Sequence, residues 1–273
     1  MARGSAGPTS TGGSLSARQI SWGLGGSSVT GFVPFLKKII VDTGARQVCD
    51  VGGGAKPVLS LDEVADLNLD YTVLDASAEE LDKAPGEYRK LLADILERDR
   101  LPAARFDLVF SRMLAEHVVD PELFHTNIGH MLKATGRAVH YFPTLYEPVF
   151  IANRVLPERV ATAALLKLAP WRDAAGVAAK FPAYYRWCRG PTARQDRRFR
   201  SVGLEVELYA GFFGTSSYYR RVPVLQALDD LLSRWLVTHP VASLTSYAYV
   251  VLRRVPEMPG EQPRRSEAAA WID

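Results

Sequence analysis

The stretch "VCDVGGGAKP", residues 48–57, decides the fold. A short run of β-formers carrying one carboxylate, Asp50, leads straight into Gly52, Gly53 and Gly54. Consecutive glycines after a strand let the main chain approach a ligand with no Cβ in the way, and open α/β sheets bind ligands at the carboxyl ends of their strands. Two phosphate-binding signatures fail here. A dinucleotide fingerprint needs glycine where Pro57 stands, and a P-loop needs Ser or Thr after Lys56. The ligand that remains is one with an adenosine and no polyphosphate.

Before this stretch, Phe32, Phe35, Leu36, Ile39 and Ile40 recur at helical spacing, with Gly44 placed as a stop. "QVCDV" (47–51), "YTVLD" (71–75), "LLAD" (91–94), "FDLVFS" (106–111) and "RAVHYFP" (137–143) read as successive strands. The helix before the last of these is predicted from Asp120 as cap and Pro121 as first residue, with Gly136 as its end. Its buried face is expected to be Leu123, Ile128, Met131 and Leu132, with Phe124 at the margin. Beyond Pro143 the strand pattern stops: "LPERVATAALLKLAP" is helical in pattern and "KFPAYYRWCRGP" is aromatic and basic. "GLEVELYAGFF" (203–213) then reads as a strand, "PVLQALDDLLSRWL" as a helix and "LTSYAYVVLRR" (244–254) as a final strand.

The fold expected is α/β, a doubly wound Rossmann-like sheet, mostly parallel with an antiparallel last strand, and a helical cap inserted after the fifth strand. Residues 1–26 read as a disordered leader, 27–143 as the nucleotide-binding core, 144–200 as the cap, 201–254 as strands and a helix completing the core, and 255–273 as a disordered tail.

A chain of 273 residues, 47% hydrophobic, suffices for one such core with an elaboration. The formal charge of +3 traces largely to the Arg-rich stretch 186–200 and is too small to argue nucleic acid by itself. Cys49 and Cys188 lie far apart, which indicates neither a disulfide framework nor a thiolate metal site and fits a reducing cytoplasm. The Gly/Ser/Thr-rich N-terminus has no apolar core of a signal peptide, and no apolar run of about 18 residues predicts a membrane span.

Acids stand at or near the ends of three successive strands: Asp50, Asp75 and Asp94. Asp75 follows the glycines at the distance where an acid bonds ribose hydroxyls in nucleotide-binding α/β folds. With "VCDVGGG", "VLDAS", "ADI", "FDLVFSRMLAEHVVDP" and "LKATGRAVHYFP" in this order, the chain resembles the class I S-adenosylmethionine-dependent methyltransferases over roughly residues 28–143. The resemblance implies S-adenosyl-L-methionine as cofactor, with Asp50 and the loop Gly52, Gly53 and Gly54 near its methionine part. It further places Asp75 and Ala76 at the ribose, Asp94 and Ile95 at the adenine, and Ser111, Arg112 and Met113 near the sulfonium.

His117, in "LAEHVVDP", is expected just past the fourth strand, in contact with cofactor or substrate or as a base, and otherwise as a structural histidine held by its loop. Glu116 reads as a local hydrogen-bond partner. Tyr141, Tyr146, Tyr184, Tyr185 and Trp187 are candidates for an aromatic acceptor pocket, against the simpler reading that they pack the cap. Tyr184 and Tyr185 join His117 as candidate catalytic side chains. His125 and His130 do not share a helix face, and no metal site is expected. "RWCRGPTARQDRRFR" could hold a phosphate, a carboxylate or RNA but reads first as a solvated helix face, and the absence of an N/D-P-P-Y pattern disfavours a nucleic-acid base as acceptor.

The function expected is methyl transfer to carbon, nitrogen or oxygen of a small specialised metabolite with an aromatic or apolar body. A methyltransferase-fold scaffold without activity, an RNA-directed methyltransferase and a nicotinamide-dependent oxidoreductase stand as alternatives, the last opposed by Pro57.

Overall fold

The computed structural model describes residues 18–145, 182–215 and 222–255. In chain order these form β1 (Gln19–Leu24), α1 (Gly25–Thr43), β2 (Gln47–Val51), α2 (Leu61–Asp66), β3 (Asp70–Asp75), α3 (Ala78–Lys83) and β4 (Arg89–Leu92). There follow β5 (Phe106–Arg112), a 3-10 turn Ala115–His117, α4 (Pro121–Met131), β6 (Leu132–Pro143), α5 (Ala193–Ser201), β7 (Leu204–Phe213), α6 (Pro223–Thr238) and β8 (Tyr247–Arg254). The eight strands make one sheet in the order β1-β7-β8-β6-β5-β2-β3-β4. Only β8 runs antiparallel to its neighbours, β6 and β7. The chain winds outward from β2 to β4 and then returns to β5 on the other side of β2. The carboxyl ends of β2 and β5 therefore flank the point where strand order reverses, which is where such sheets open a crevice.

Each face of the sheet is sealed by a helix whose apolar period matches it. On α1, Phe32, Leu36 and Ile40 are buried, and Phe32 meets the rings of Phe110, Tyr141 and Tyr249. Gly44 ends α1 in the left-handed conformation (φ 65°), the stop its sequence announces. On the opposite face α4 starts as expected: Asp120 accepts the Leu123 N–H, and Pro121 takes the first turn.

Four expectations need correction. Residues 19–24, placed in a leader, form the edge strand β1, because Ile20, Trp22 and Leu24 alternate and Trp22 stacks on Phe213 at 5.5 Å. The buried face of α4 is turned from the one expected: Phe124 is fully buried and Leu123 is exposed, since positions 121, 124, 125, 128 and 131 form the true stripe. Gly136 does not end α4, which stops at Met131; it lies in β6, where a Cβ would come within 3.0 Å of the Phe106 carbonyl at the β5–β6 register shift. The third parallel strand is Arg89–Leu92, so Asp94 sits two residues past it. Of the expected cap, residues 146–181, with Tyr146 and "LPERVATAALLKLAP", lie outside the described residues, as do 1–17 and 256–273. The arginine-rich stretch gives α5, with Gln195 and Phe199 buried and Arg194 and Arg197 exposed.

Beneath α4 lies a buried pair of imidazoles. His125 and His140 stack at 5.2 Å with their planes 4° apart, and Ser111 Oγ hydrogen-bonds His140 Nδ1 at 2.8 Å. Burial pushes the His140 imidazole down to about 3 and holds His125 well below the histidine range. Below the unfolded value near 6.5 the unfolded chain takes up protons that these rings refuse, so their contribution to stability falls with pH between about 6.5 and 3. Asp50 and Glu116, whose acids are raised by burial, act in the opposite sense. A comparison with His140→Asn isolates one ring: between pH 7 and pH 5 the variant is expected to gain roughly 2 kcal/mol relative to wild type in chemical unfolding.

Candidate active site

The glycine loop is held from below. Asp50 is buried, and its Oδ2 accepts the Val58 N–H at 2.8 Å and the Tyr71 hydroxyl at 2.7 Å. Burial raises this carboxyl to about 6. Asp50 therefore does not line the cleft; it pins the two ends of the loop, and a Cβ on Gly53 would strike it at 2.8 Å. Gly52 (φ 76°) and Gly54 (φ 41°) both take the left-handed conformation that side chains disfavour. A Cβ on Gly52 would meet Leu114 at 3.0 Å, and one on Gly54 would meet Asp75 Oδ2 at 2.9 Å. The bareness of the loop is thus used to bring main chain close to two side chains at the cleft.

Beside the loop is a cleft of about 290 Å³ whose lining includes Gly52, Asp75, Ala76, Asp94, Ile95 and His117, six of the residues expected from sequence. The two acids are held in the same way. Asp75 Oδ1 accepts the Ser77 N–H and Asp94 Oδ1 accepts the Leu96 N–H, each at 2.9 Å. Each side chain is fixed by its own turn while its carboxylate keeps further acceptor capacity toward the cleft. Asn127 Nδ2 donates to the Ile95 carbonyl at 2.8 Å and so ties this wall to α4. The remaining lining is apolar: Val51, Leu74, Ala93, Leu96, Leu114, Val118 and Val119. Two spaced acids in an apolar slot suit a flat ring with hydroxyls and an amino edge. Gly52, where a Cβ would meet Leu114, leaves the backbone bare at one end of the slot, whereas Gly53 and Gly54 lie behind it and do not line it.

Past β5 the expected residues divide. Ser111 is fully buried and turned toward His140. Met113 takes φ 53° and donates its N–H to the Tyr141 carbonyl at 2.7 Å, which bends the chain away from the strand. Arg112 is exposed at the strand's end, with no hydrogen bond or ion pair to a described residue, and its charge bears on Asp50 and Tyr249.

His117 lines the cleft from the turn that follows. Its Nδ1 lies 2.9 Å from the Pro182 carbonyl. A carbonyl only accepts, so Nδ1 carries the hydrogen, and in the neutral ring Nε2 carries the lone pair. Tyr184 and Tyr185 reach this turn through their backbone: both N–H groups donate to the Glu116 carbonyl, at 2.7 and 3.1 Å. Tyr185 is buried with φ 50°, and neither tyrosine lines the cleft. Tyr141 is buried in the core against Ser28 and Phe32, and Trp187 packs on His125 and Phe199, so these two serve packing.

The residue that sequence reading undervalued is Glu116. Its side chain is buried, Oε2 has no hydrogen-bond partner, and Oε1 lies 3.8 Å from His117 Nε2. Burial raises its acid to about 8, so it is mostly protonated at neutral pH. The signal available in sequence was an acid directly beside the histidine in "AEH".

Residues 49–140 match a family model described as a methyltransferase domain. No curated protein matches the sequence. Among solved structures, an S-adenosylmethionine-dependent methyltransferase from Archaeoglobus fulgidus superposes with a TM-score of 0.50 at 13% identity, covering 84% of this chain and 95% of that one. A Galdieria sulphuraria protein, assigned provisionally as a sarcosine dimethylglycine methyltransferase, gives 0.51 at 13% identity, covering 83% and 86%. At such identities the likeness is one of fold.

Proposed function

We propose that this chain, whose residues 49–140 match a methyltransferase domain, is a class I S-adenosylmethionine-dependent methyltransferase, that the cleft beside the glycine loop binds the cofactor and that a small acceptor with an aromatic or otherwise apolar body is methylated at its open end. The observation that carries this reading is the matched pair Asp75 and Asp94, each with one oxygen tied to its own turn, in the slot that Gly52 borders.

When bound, the cofactor supplies an electrophilic methyl group on a sulfonium. The chain's part is to orient. Asp75 and Ala76 hold the ribose, Asp94 and Ile95 the adenine edge, and Gly52 gives the methionine part a backbone without obstruction. Leu114, Val118 and Val119 keep water from the slot, which favours near-attack geometry over solvation. Arg112, exposed at the end of β5, serves a carboxylate or another anionic group. If the acceptor atom carries a proton, Nε2 of His117 takes it as the methyl group arrives, and the Pro182 carbonyl that accepts from Nδ1 holds the resulting imidazolium in place.

Calorimetric titration with S-adenosylmethionine and S-adenosylhomocysteine tests the reading. Wild type is expected to bind both, and Asp75→Ala is expected to bind 10- to 100-fold more weakly, in line with ~1.5–3 kcal/mol for a hydrogen bond to a charged group. Binding to neither ligand would leave a scaffold as the better reading. Binding that Asp75→Ala leaves unchanged would put the ribose elsewhere.

A further inference from the structure

Helix α6 is turned inside out. Val224, Leu225, Leu228, Leu231, Leu232 and Trp235 are between 47% and 70% exposed. The side toward the sheet mixes Gln226, Asp229, Asp230 and Ser233 with Leu236 and Val237, of which Ser233 and Leu236 are buried. Polar contacts fix this rotation: Asp229 Oδ2 accepts the Thr215 N–H at 3.1 Å, and Ser233 packs so close to Gly214 that a Cβ there would lie 2.3 Å from its Oγ. Gly214 sits at φ 88°, so that approach is built into the backbone. The apolar stripe therefore cannot roll inward. It continues onto Ile20 and Leu24 of β1, against which α6 packs, and onto Val241 and Leu244 just past the helix.

We infer that this face joins two copies of the chain, with the two α6 helices antiparallel about a two-fold axis. Leu225, Leu228, Leu232 and Trp235 are spaced three, four and three residues apart, the interval that keeps a seam facing a partner helix. A two-fold axis near the middle of α6 sets Leu228 against the partner's Leu232 and Leu225 against the partner's Trp235, and leaves Val224 and Leu231 as apolar flanks. No charge falls on the stripe, because Asp229, Asp230 and Arg234 lie off the seam. An isologous contact needs that self-complementarity. The size agrees as well: a helix ~24 Å long with its continuation onto β1 exceeds the few hundred Å² that monomers leave bare and approaches the ~800 Å² per partner of a stable complex. A bilayer is a poorer match, since surface-bound helices carry several Lys or Arg on their polar side and α6 has one basic residue, Arg234.

Sedimentation velocity of the full chain at ~10 μM tests this, the chain being 30.1 kDa. Wild type is expected to run as a dimer and Leu228→Glu as a monomer with an unchanged far-UV circular dichroism spectrum, its thermal midpoint lowered only by the lost association. Leu228→Glu combined with Leu232→Lys is expected to dimerise again, because the antiparallel register brings the opposite charges together twice. A monomeric wild type overturns the inference, as does a dimer indifferent to Leu228→Glu. Cosedimentation of monomeric wild type with phosphatidylserine-containing vesicles overturns it in favour of a membrane surface. Failure of the double substitution to restore the dimer overturns the antiparallel register.

Discussion

Gly54→Val is expected to lower affinity for S-adenosylmethionine by at least about 100-fold, some 2.7 kcal/mol, while the protein still folds. Two effects coincide at this position. The backbone sits at φ 41°, where a β-branched residue is strained. The new Cβ would also arrive 2.9 Å from Asp75 Oδ2 and 3.3 Å from Glu80 Cβ. Neither neighbour can give way cheaply: Asp75 is tied to the Ser77 N–H, and Glu80 lies in α3. Relief comes from moving the loop or swinging the carboxylate out of the cleft, and either would remove a contact proposed above for the cofactor. Gly86→Ala provides the control, since a Cβ there meets nothing within 4 Å. Affinity of Gly54→Val within tenfold of wild type, measured by calorimetry, would show that the loop does not approach the cofactor.

The second large effect falls on stability. Asp50→Leu leaves the Tyr71 hydroxyl and the Val58 N–H without their shared acceptor. At ~1–3 kcal/mol for each group left unpaired, unfolding by denaturant is expected to show a loss of roughly 2–6 kcal/mol. Asp50→Asn keeps an acceptor and is expected to lose less. It also removes a pH dependence of known sign. The folded carboxyl, near 6, lies above its unfolded value of about 3.9, so the folded state holds the proton more tightly. The wild-type contribution from Asp50 therefore declines as pH rises from about 4 to about 6, and Asp50→Asn gains on it over that window. If Asp50→Leu proves as stable as wild type, the loop is not held from below as described.

Those two positions also mark what the sequence could and could not disclose. The tight glycine turn was legible because three glycines follow a strand, and the place of Asp75 beside it because an acid closing the next strand has a fixed relation to that loop. Asp50 was legible as important but not in role: only the fold shows that its carboxylate turns under the loop to Tyr71 and Val58. Glu116 was opaque for the same reason, since burial without a partner is not a property of a tripeptide. The edge strand β1 was hidden by a leader-like composition, and its partner β7 comes late in the chain. The buried face of α4 was misread by choosing Leu123 over Phe124, adjacent positions that differ by about 100° around a helix. Tyr184 and Tyr185, read from sequence as candidate catalytic side chains, do not line the cleft and reach the turn that carries His117 through main-chain N–H groups, which any residue but proline could supply.

The pairing of β1 with β7, Gln19 opposite Leu208, also constrains how the chain is made. During synthesis β1 leaves the ribosome long before β7, its partner. The segment from β2 to β5 can assemble from contacts closer in sequence, whereas β1 must wait, unpaired, until β7 is made. Its Ile20, Trp22 and Leu24 are then an apolar edge open to any passing strand. Closing the sheet is the long-range and therefore slow step, and in a growing polypeptide it is the interval in which a chaperone would have the most to protect.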